Sequence, residues 1–410
     1  MSAIALDYSA DINTLFVTFH PELFDAAWSP SLIEDAATEI NQVAGPTQSY
    51  VIVRLSGEGV RLVPLVFMSK VITILIEKYL MPKERFLIAT GAYPSNRNRH
   101  YYAQLRTRHN LLPIPVVFTN GYEHGARGWL LSNEDEMLAE IDLTPRIKPK
   151  LLLSFNGNTR LHRLLFVHLM EERGLINKSF VSWKSAVRNK DELDYLTKLL
   201  LEFFPKYGKD WYDQMLNKLP MEMRLLNLSL TPGNNQQPMF PITPDTCAND
   251  FEYINNCYFT VVTETKFYHD NDLRIYHGKL DTDTQADGYL FSEKTWKPIM
   301  SKHPFIFMGF VHSLALLREH GYRTFHPYIN EAYDSVENDE DRLVAIFDEI
   351  ERLSKFTDDE WITWQINVQP ILEHNFQRLK NTKRNSITFN PETRETTPLQ
   401  IFADGTVINI

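Results

Sequence analysis

Between residues 50 and 118, short apolar runs alternate with longer stretches of helical spacing. Tyr50-Val51-Ile52-Val53, Arg85-Phe86-Leu87-Ile88-Ala89 and Pro115-Val116-Val117-Phe118 read as strands, and residues 62–81 and 96–110 between them read as helices. Strands that alternate with helices in this way build a parallel sheet. Thr144-Pro145-Arg146-Ile147-Lys148-Pro149 interrupts the rhythm and reads as a linker. The rhythm then restarts. Residues 150–155 are a strand, Asn156-Gly157-Asn158 a turn, 160–173 a helix with Leu161, Leu164, Leu165 and Leu169 on one side, and 179–183 a strand. Residues 228–250, rich in Pro, Asn and Gln, read as a long loop before the strand 258–262. Further helices are expected near 311–320 and 340–354, with two shorter ones across 358–380, and a turn at Ala403-Asp404-Gly405 signals a terminal hairpin.

This pattern predicts two α/β domains, 1–148 and 149–381, with a tail over 382–410. A chain of 410 residues is too long for one ordinary core, which favours the same division. The formal charge of −10 argues against a general nucleic-acid-binding surface but leaves room for a local basic groove. Cys247 and Cys257 have no metal or redox spacing, which suggests a reducing compartment and a cytoplasmic location. The apolar stretch 62–81 is interrupted by Lys70, Glu77 and Lys78, so it reads as a packed helix rather than a membrane span. The first residues, MSAIALDYSADINTLF, lack a basic segment followed by an apolar one, so no secretory signal is expected.

Residues 290–309 carry the most chemical information. Phe291-Ser292-Glu293-Lys294 opens an amphipathic run with Trp296, Ile299 and Met300 at helical spacing; Pro304 ends it, and Phe305-Ile306-Phe307-Met308 is a short buried strand before Gly309. A carboxylate and an ammonium are thereby placed beside a helix N-terminus, where α/β proteins bind phosphate-bearing ligands. Upstream, Arg160 and Arg163 lie near the start of the helix that follows Asn156-Gly157-Asn158, where a guanidinium can fork onto pyrophosphate oxygens. The plain alternatives are a solvated arginine, an Asn158 N-cap and a serine-capped helix. A third element is the strand ending Thr263-Glu264-Thr265, which brings a hydroxyl and a carboxylate to the carboxyl edge of the sheet; Glu264 capping the next turn is its plain alternative.

The 290–309 run resembles the nucleotide-sugar signature of fucosyltransferase-type glycosyltransferases, in which Glu-Lys opens a helix and a Pro-led hydrophobic strand follows. The resemblance covers roughly residues 150–330. It implies two Rossmann-like domains facing a cleft, the GT-B architecture. In that family the positions matching Glu293 and Lys294 bind the donor's hydroxyls and phosphate, and a basic residue early in the domain, here Arg160, binds phosphate. Phe291-Ser292 keeps the family's aromatic-hydroxyl order. The strand ending at Glu264 is similar to one that ends Glu-Asn-Ser, from which Thr265 departs. The resemblance implies a nucleotide sugar as co-substrate, GDP-fucose first, with no further cofactor and no metal. The absence of an anchor makes the chain more like the soluble bacterial or viral members, acting in the cytoplasm of a bacterium or an infected cell. Asp281-Thr282-Asp283 has the spelling of a metal motif but sits in a polar run that reads as a loop over the donor.

Inverting transfer needs a general base opposite the leaving diphosphate. Glu58, flanked by Gly57 and Gly59 after the strand 50–55, is the first choice, with Glu123 and His124 as the competing pair; a surface loop carboxylate is the plain alternative for each. Arg97, Arg99, Tyr101 and Tyr102 belong to a basic, aromatic cluster expected on the acceptor side. That cluster suits an anionic polymer such as DNA with modified bases as well as a glycan, and its plain alternative is a solvated helix with its tyrosines in the core. A glycan- or nucleotide-binding module without turnover is the reading from another class.

Overall fold

The computed structural model describes residues 4–9, 14–19, 29–47, 49–55, 62–90, 102–103, 106–107, 109–112, 114, 116–118, 121–156, 160–183, 194, 197–198, 200–202, 204–217, 251–265, 267, 275–276, 279–280, 291–382, 387–389, 396–398, 400–401 and 407–408. The chain divides into two compact units. The first comprises Met1–Gly121, Asp283–Leu290 and Lys383–Ile410, and the second Tyr122–Thr282 and Phe291–Thr382.

In the first unit, β1 (Ile4–Ser9) pairs antiparallel with β2 (Thr14–Phe19), and β2, β3 (Tyr50–Leu55), β4 (Phe86–Thr90) and β5 (Val116–Phe118) then lie parallel in sequence order. Helices α1 (Pro30–Thr47) and α2 (Leu62–Glu77) make the crossovers β2–β3 and β3–β4. Both steps run the same way across the sheet, so right-handed connections put both helices on one face. Their stripes, Ile33, Ala36, Ala37, Ile40 and Ala44 on α1 and Leu65, Met68, Val71, Ile72 and Leu75 on α2, share one core with Leu15, Val17, Val51, Val53, Phe86 and Ile88. Phe16, Ile52, Leu87 and Ala89, alternate residues along the same strands, form a separate small cluster on the other face. The described strands of this unit therefore contain no reversal of order and no topological switch point.

The second unit has that reversal. Its sheet runs β7 (Phe180–Trp183), β6 (Lys150–Asn156), β8 (Cys257–Thr263), β9 (Phe305–Met308), all parallel. From β6 the chain crosses through helix α4 (Leu161–Glu172) to β7 on one side, then returns past β6 to place β8 on the other. Every residue of β8 and β9 is buried, as in strands covered on both faces. The carboxyl ends of β6 and β8 thus flank the switch point, where open α/β sheets bind ligands.

Three expectations change. Residues 358–380 form one helix, α9, rather than two. Its buried stripe, Trp361, Trp364, Val368, Ile371, Leu372, Phe376 and Leu379, keeps helical spacing on both sides of Pro370, whose ring is exposed. The segment 144–149 is strapped into the second unit rather than linking two domains. Gln365 donates to the Arg146 carbonyl at 2.9 Å, Gln369 to that of Leu143 at 2.8 Å, and the Lys148 amide donates to the Tyr258 hydroxyl at 3.0 Å. The division between units accordingly falls near the start of α3 (Gly121–Glu140), not at residue 148. Within the second unit, Arg127 donates to the Lys380 carbonyl at 3.2 Å, and Lys380 pairs with Glu134 at 2.5 Å. In the tail, Gln400–Ile401 pairs antiparallel with Val407–Ile408 around the predicted turn. No described helix is long and apolar enough to cross a membrane.

Candidate functional site

Two helices begin at the carboxyl edge of the second sheet. Arg160 is the N-cap residue of α4, in extended backbone and only 6% exposed. Ser292 is the N-cap of α6 (Glu293–Met300), its hydroxyl accepting from the Lys294 amide at 3.3 Å. Trp296, fully buried, locks the first turn by donating its indole N–H to the Phe291 carbonyl at 3.1 Å. Each helix start brings partial positive charge to the sheet edge, with a guanidinium or an ammonium beside it.

The end of β8 ties these starts together. Arg163 donates to the Thr263 carbonyl from Nε at 3.2 Å and Nη2 at 2.8 Å, and the Thr263 hydroxyl donates to the Asn156 side-chain oxygen at 2.9 Å. His162 donates from Nε2 to the Glu264 carbonyl at 2.9 Å and stacks on Phe267 with centroids 5.2 Å apart. Burial, with the charges of Arg163 and Arg160 adding to it, holds His162 well below the usual imidazole range, so the ring is neutral. Arg342 covers Phe267 at 4.5 Å.

The Glu264 carboxylate has no solvent exposure and is the junction of the network. Oε1 accepts from the Ser292 amide at 2.7 Å, the Ser292 hydroxyl at 2.9 Å and the Thr295 hydroxyl at 2.6 Å, while Oε2 accepts from the Thr265 amide at 2.9 Å. Glu293 and Lys294 point less deeply inward. Their side chains are 30% and 20% exposed, and the Lys294 ammonium lies 2.6 Å from Glu293 and 3.3 Å from the Ser292 hydroxyl.

Eight of the sequence-derived candidates are therefore gathered in one place: Asn156, Arg160, Arg163, Thr263, Glu264, Ser292, Glu293 and Lys294. Their tasks divide, and the capping alternatives for Glu264 and Ser292 describe the geometry of those two. Asn156, Arg163, Thr263, Glu264 and Ser292 are buried and direct the hydrogen bonds above into the protein, whereas Glu293 and Lys294 retain accessible polar surface. His162, Thr295 and Arg342 were not anticipated. A histidine two residues after Arg160 and a threonine three after Ser292, both in first helical turns, were the available signals.

Other candidates go elsewhere. Glu123 is buried in the second unit, not at the end of a first-domain strand. It accepts from the Tyr322 hydroxyl and, at 3.3 Å, from that of Thr382, and burial raises its pKa. A carboxyl so enclosed is not presented to an acceptor. His124 follows it in α3, its side chain outside the described residues. Tyr102 is not on an acceptor surface: it packs into the core of the first unit and donates to the Ile114 carbonyl at 3.1 Å, and burial pushes its pKa up to about 12. Glu58, Arg97, Arg99, Tyr101, Asn158, the loop 228–250 and Asp281-Thr282-Asp283 lie outside the described residues. A groove of about 910 Å³ between residues 322–332 and Asn367, Pro370 and Ile371 includes none of the gathered side chains. Comparisons of the chain with protein-family models, with curated proteins and with solved structures found no match.

Proposed function

We propose that the chain is a glycosyltransferase that takes its sugar from a nucleotide-sugar donor held at the carboxyl edge of the second sheet. The observation that carries this reading is the junction of two helix starts, one bearing Arg160 and the other Glu293-Lys294, around the end of β8 at the switch point. A nucleoside diphosphate needs positive charge that is fixed before it arrives, and a pentose or hexose needs a carboxylate to accept its hydroxyls. Lys294 and Arg160 serve the first need and Glu293 the second. The fucosyltransferase-like order of residues 290–309 makes GDP-fucose the first donor to test, with the two α/β units acting as donor and acceptor domains of a GT-B enzyme.

In this mechanism the sugar–phosphate bond breaks as the acceptor hydroxyl attacks the anomeric carbon. The diphosphate departs against Lys294 and Arg160, and a base removes the acceptor proton. The enclosure of Glu123 argues against that role for it, so Glu58 is the first base to test, with His124 the second. Thermal unfolding of the purified chain against a panel of nucleotide sugars and nucleoside diphosphates tests the reading. Stabilisation by one donor, lost in Lys294→Ala, supports it, and no response to any of them overturns it. Donor hydrolysis or transfer by the wild type then separates an enzyme from a binding module.

A further inference from the structure

We infer that Glu264 is a positioning residue that sets the Lys294 ammonium for the donor diphosphate, acting through the Ser292 hydroxyl; the inference rests on the reading just given. A serine hydroxyl has one proton and two lone pairs. At Ser292 the proton is directed to Glu264 Oε1 at 2.9 Å, so the oxygen faces Lys294 as an acceptor, 3.3 Å from both its amide nitrogen and its Nζ. The same carboxylate oxygen takes the Ser292 amide and the Thr295 hydroxyl, fixing both sides of the first turn of α6.

Glu264 is itself held rigidly. Its carbonyl receives His162, the Thr263 carbonyl before it receives Arg163, and the Thr265 amide after it closes onto its own Oε2. A carboxylate with four donors and no exposed surface does not touch a ligand; it orders the groups that do. An amide in its place offers one acceptor oxygen, so either the Thr265 amide or the Ser292–Thr295 donors would meet an NH2 group.

Titration calorimetry of the full chain with inorganic pyrophosphate tests this, using wild type, Glu264→Gln, Ser292→Ala, Lys294→Ala and the Glu264→Gln/Lys294→Ala double variant. Glu264→Gln and Ser292→Ala are each expected to weaken binding about tenfold, and Lys294→Ala more. The double variant is expected to bind no more weakly than Lys294→Ala alone, because the effect of Glu264 passes through that ammonium. Wild-type affinity in a folded Glu264→Gln protein, or additive losses in the double variant, would overturn the inference while leaving the nucleotide-sugar reading in place. Failure of the wild type to bind both pyrophosphate and every nucleotide sugar would remove that reading and this inference together. Thermal unfolding reports whether Glu264→Gln is folded; if it is not, Ser292→Ala and its double variant with Lys294→Ala decide the matter by the same criteria.

Discussion

The Lys294 ammonium lies 2.6 Å from a carboxylate oxygen of its own neighbour, Glu293. This carboxylate pairs with the lysine that the proposed function assigns to phosphate. A bare anion must displace it. A nucleotide sugar brings hydroxyls that give the carboxylate other partners. Glu293→Gln is therefore expected to bind inorganic pyrophosphate two- to fivefold more tightly, since a partly exposed ion pair is worth about 0.5–1 kcal/mol. The same variant is expected to bind the cognate nucleotide sugar more weakly. Calorimetric titration with both ligands checks the pair of signs, and weakening of both would show that Glu293 only supports the fold.

His303 makes a separate prediction about acid stability. Its Nε2 donates to the Cys257 carbonyl at 3.2 Å, and its Nδ1 lies 3.0 Å from the Thr260 hydroxyl, both inside the protein. Burial, with the nearby Lys148 charge adding to it, lowers its pKa from 6.5 to about 3. The folded value is depressed, so the contribution is present above pH 6.5 and is lost as the pH falls towards 3. The slope is about 1.4 kcal/mol per pH unit. Buried His162 adds a loss of the same sign. Denaturant unfolding at pH 7, 5.5 and 4.5 is expected to show the decline, reduced by about one proton in His303→Gln. Tryptophan emission suits the measurement because six of the seven tryptophans belong to the second unit.

Glu123 has the opposite sign. Burial raises its folded pKa, so its contribution is present below the ordinary carboxylate range and is lost as the pH rises through the folded value. Glu123→Gln keeps an acceptor for Tyr322 and Thr382 without a charge to bury. It is expected to match wild-type stability at pH 4.5 and exceed it at pH 8. Glu123→Ala leaves the buried Tyr322 hydroxyl without that acceptor and should cost about 1–3 kcal/mol at either pH. Donor turnover in Glu123→Gln should stay at the wild-type level; its loss would return Glu123 to the role of base.

The strands were legible because their signal is local. Residues 257–263 are all aromatic, β-branched or cysteine, and Pro304 marks the entry to β9. The site was legible where one helix start carried its own cap and charges, as at Ser292-Glu293-Lys294. What could not be read depends on partners far along the chain. Ser292 is 28 residues from Glu264, so a carboxylate at a strand end gave no sign that its ligands were already inside the protein. The segment 144–149 looked like a linker because its proline and lysine residues suit solvent. Its backbone is held at Arg146 by Gln365, more than 200 residues away, and Gln369 holds Leu143 just before it. Residues 358–380 suggest two short helices, yet burial of the same stripe on both sides of Pro370 carries one helix through. The first hairpin, β1–β2, went unread although Thr14-Leu15-Phe16-Val17 has clear strand character.

Gly309 follows β9 at the same sheet edge, and a Cβ there would meet the Phe307 ring at 2.3 Å. Ring and backbone cannot both stay in place, so Gly309→Ala should cost about 1–3 kcal/mol through overpacking. The displacement has a defined route. Phe307 packs edge-on to Phe291 with centroids 5.7 Å apart, and Phe291 both precedes the Ser292 cap and receives the Trp296 indole proton. Gly309→Ala is thus expected to weaken pyrophosphate binding several-fold as well as lowering the unfolding temperature. Gly309→Ala/Phe307→Leu, which removes the clashing ring atoms, should recover most of the affinity even where stability stays low. Recovery of stability without affinity would mean that the start of α6 does not depend on this packing.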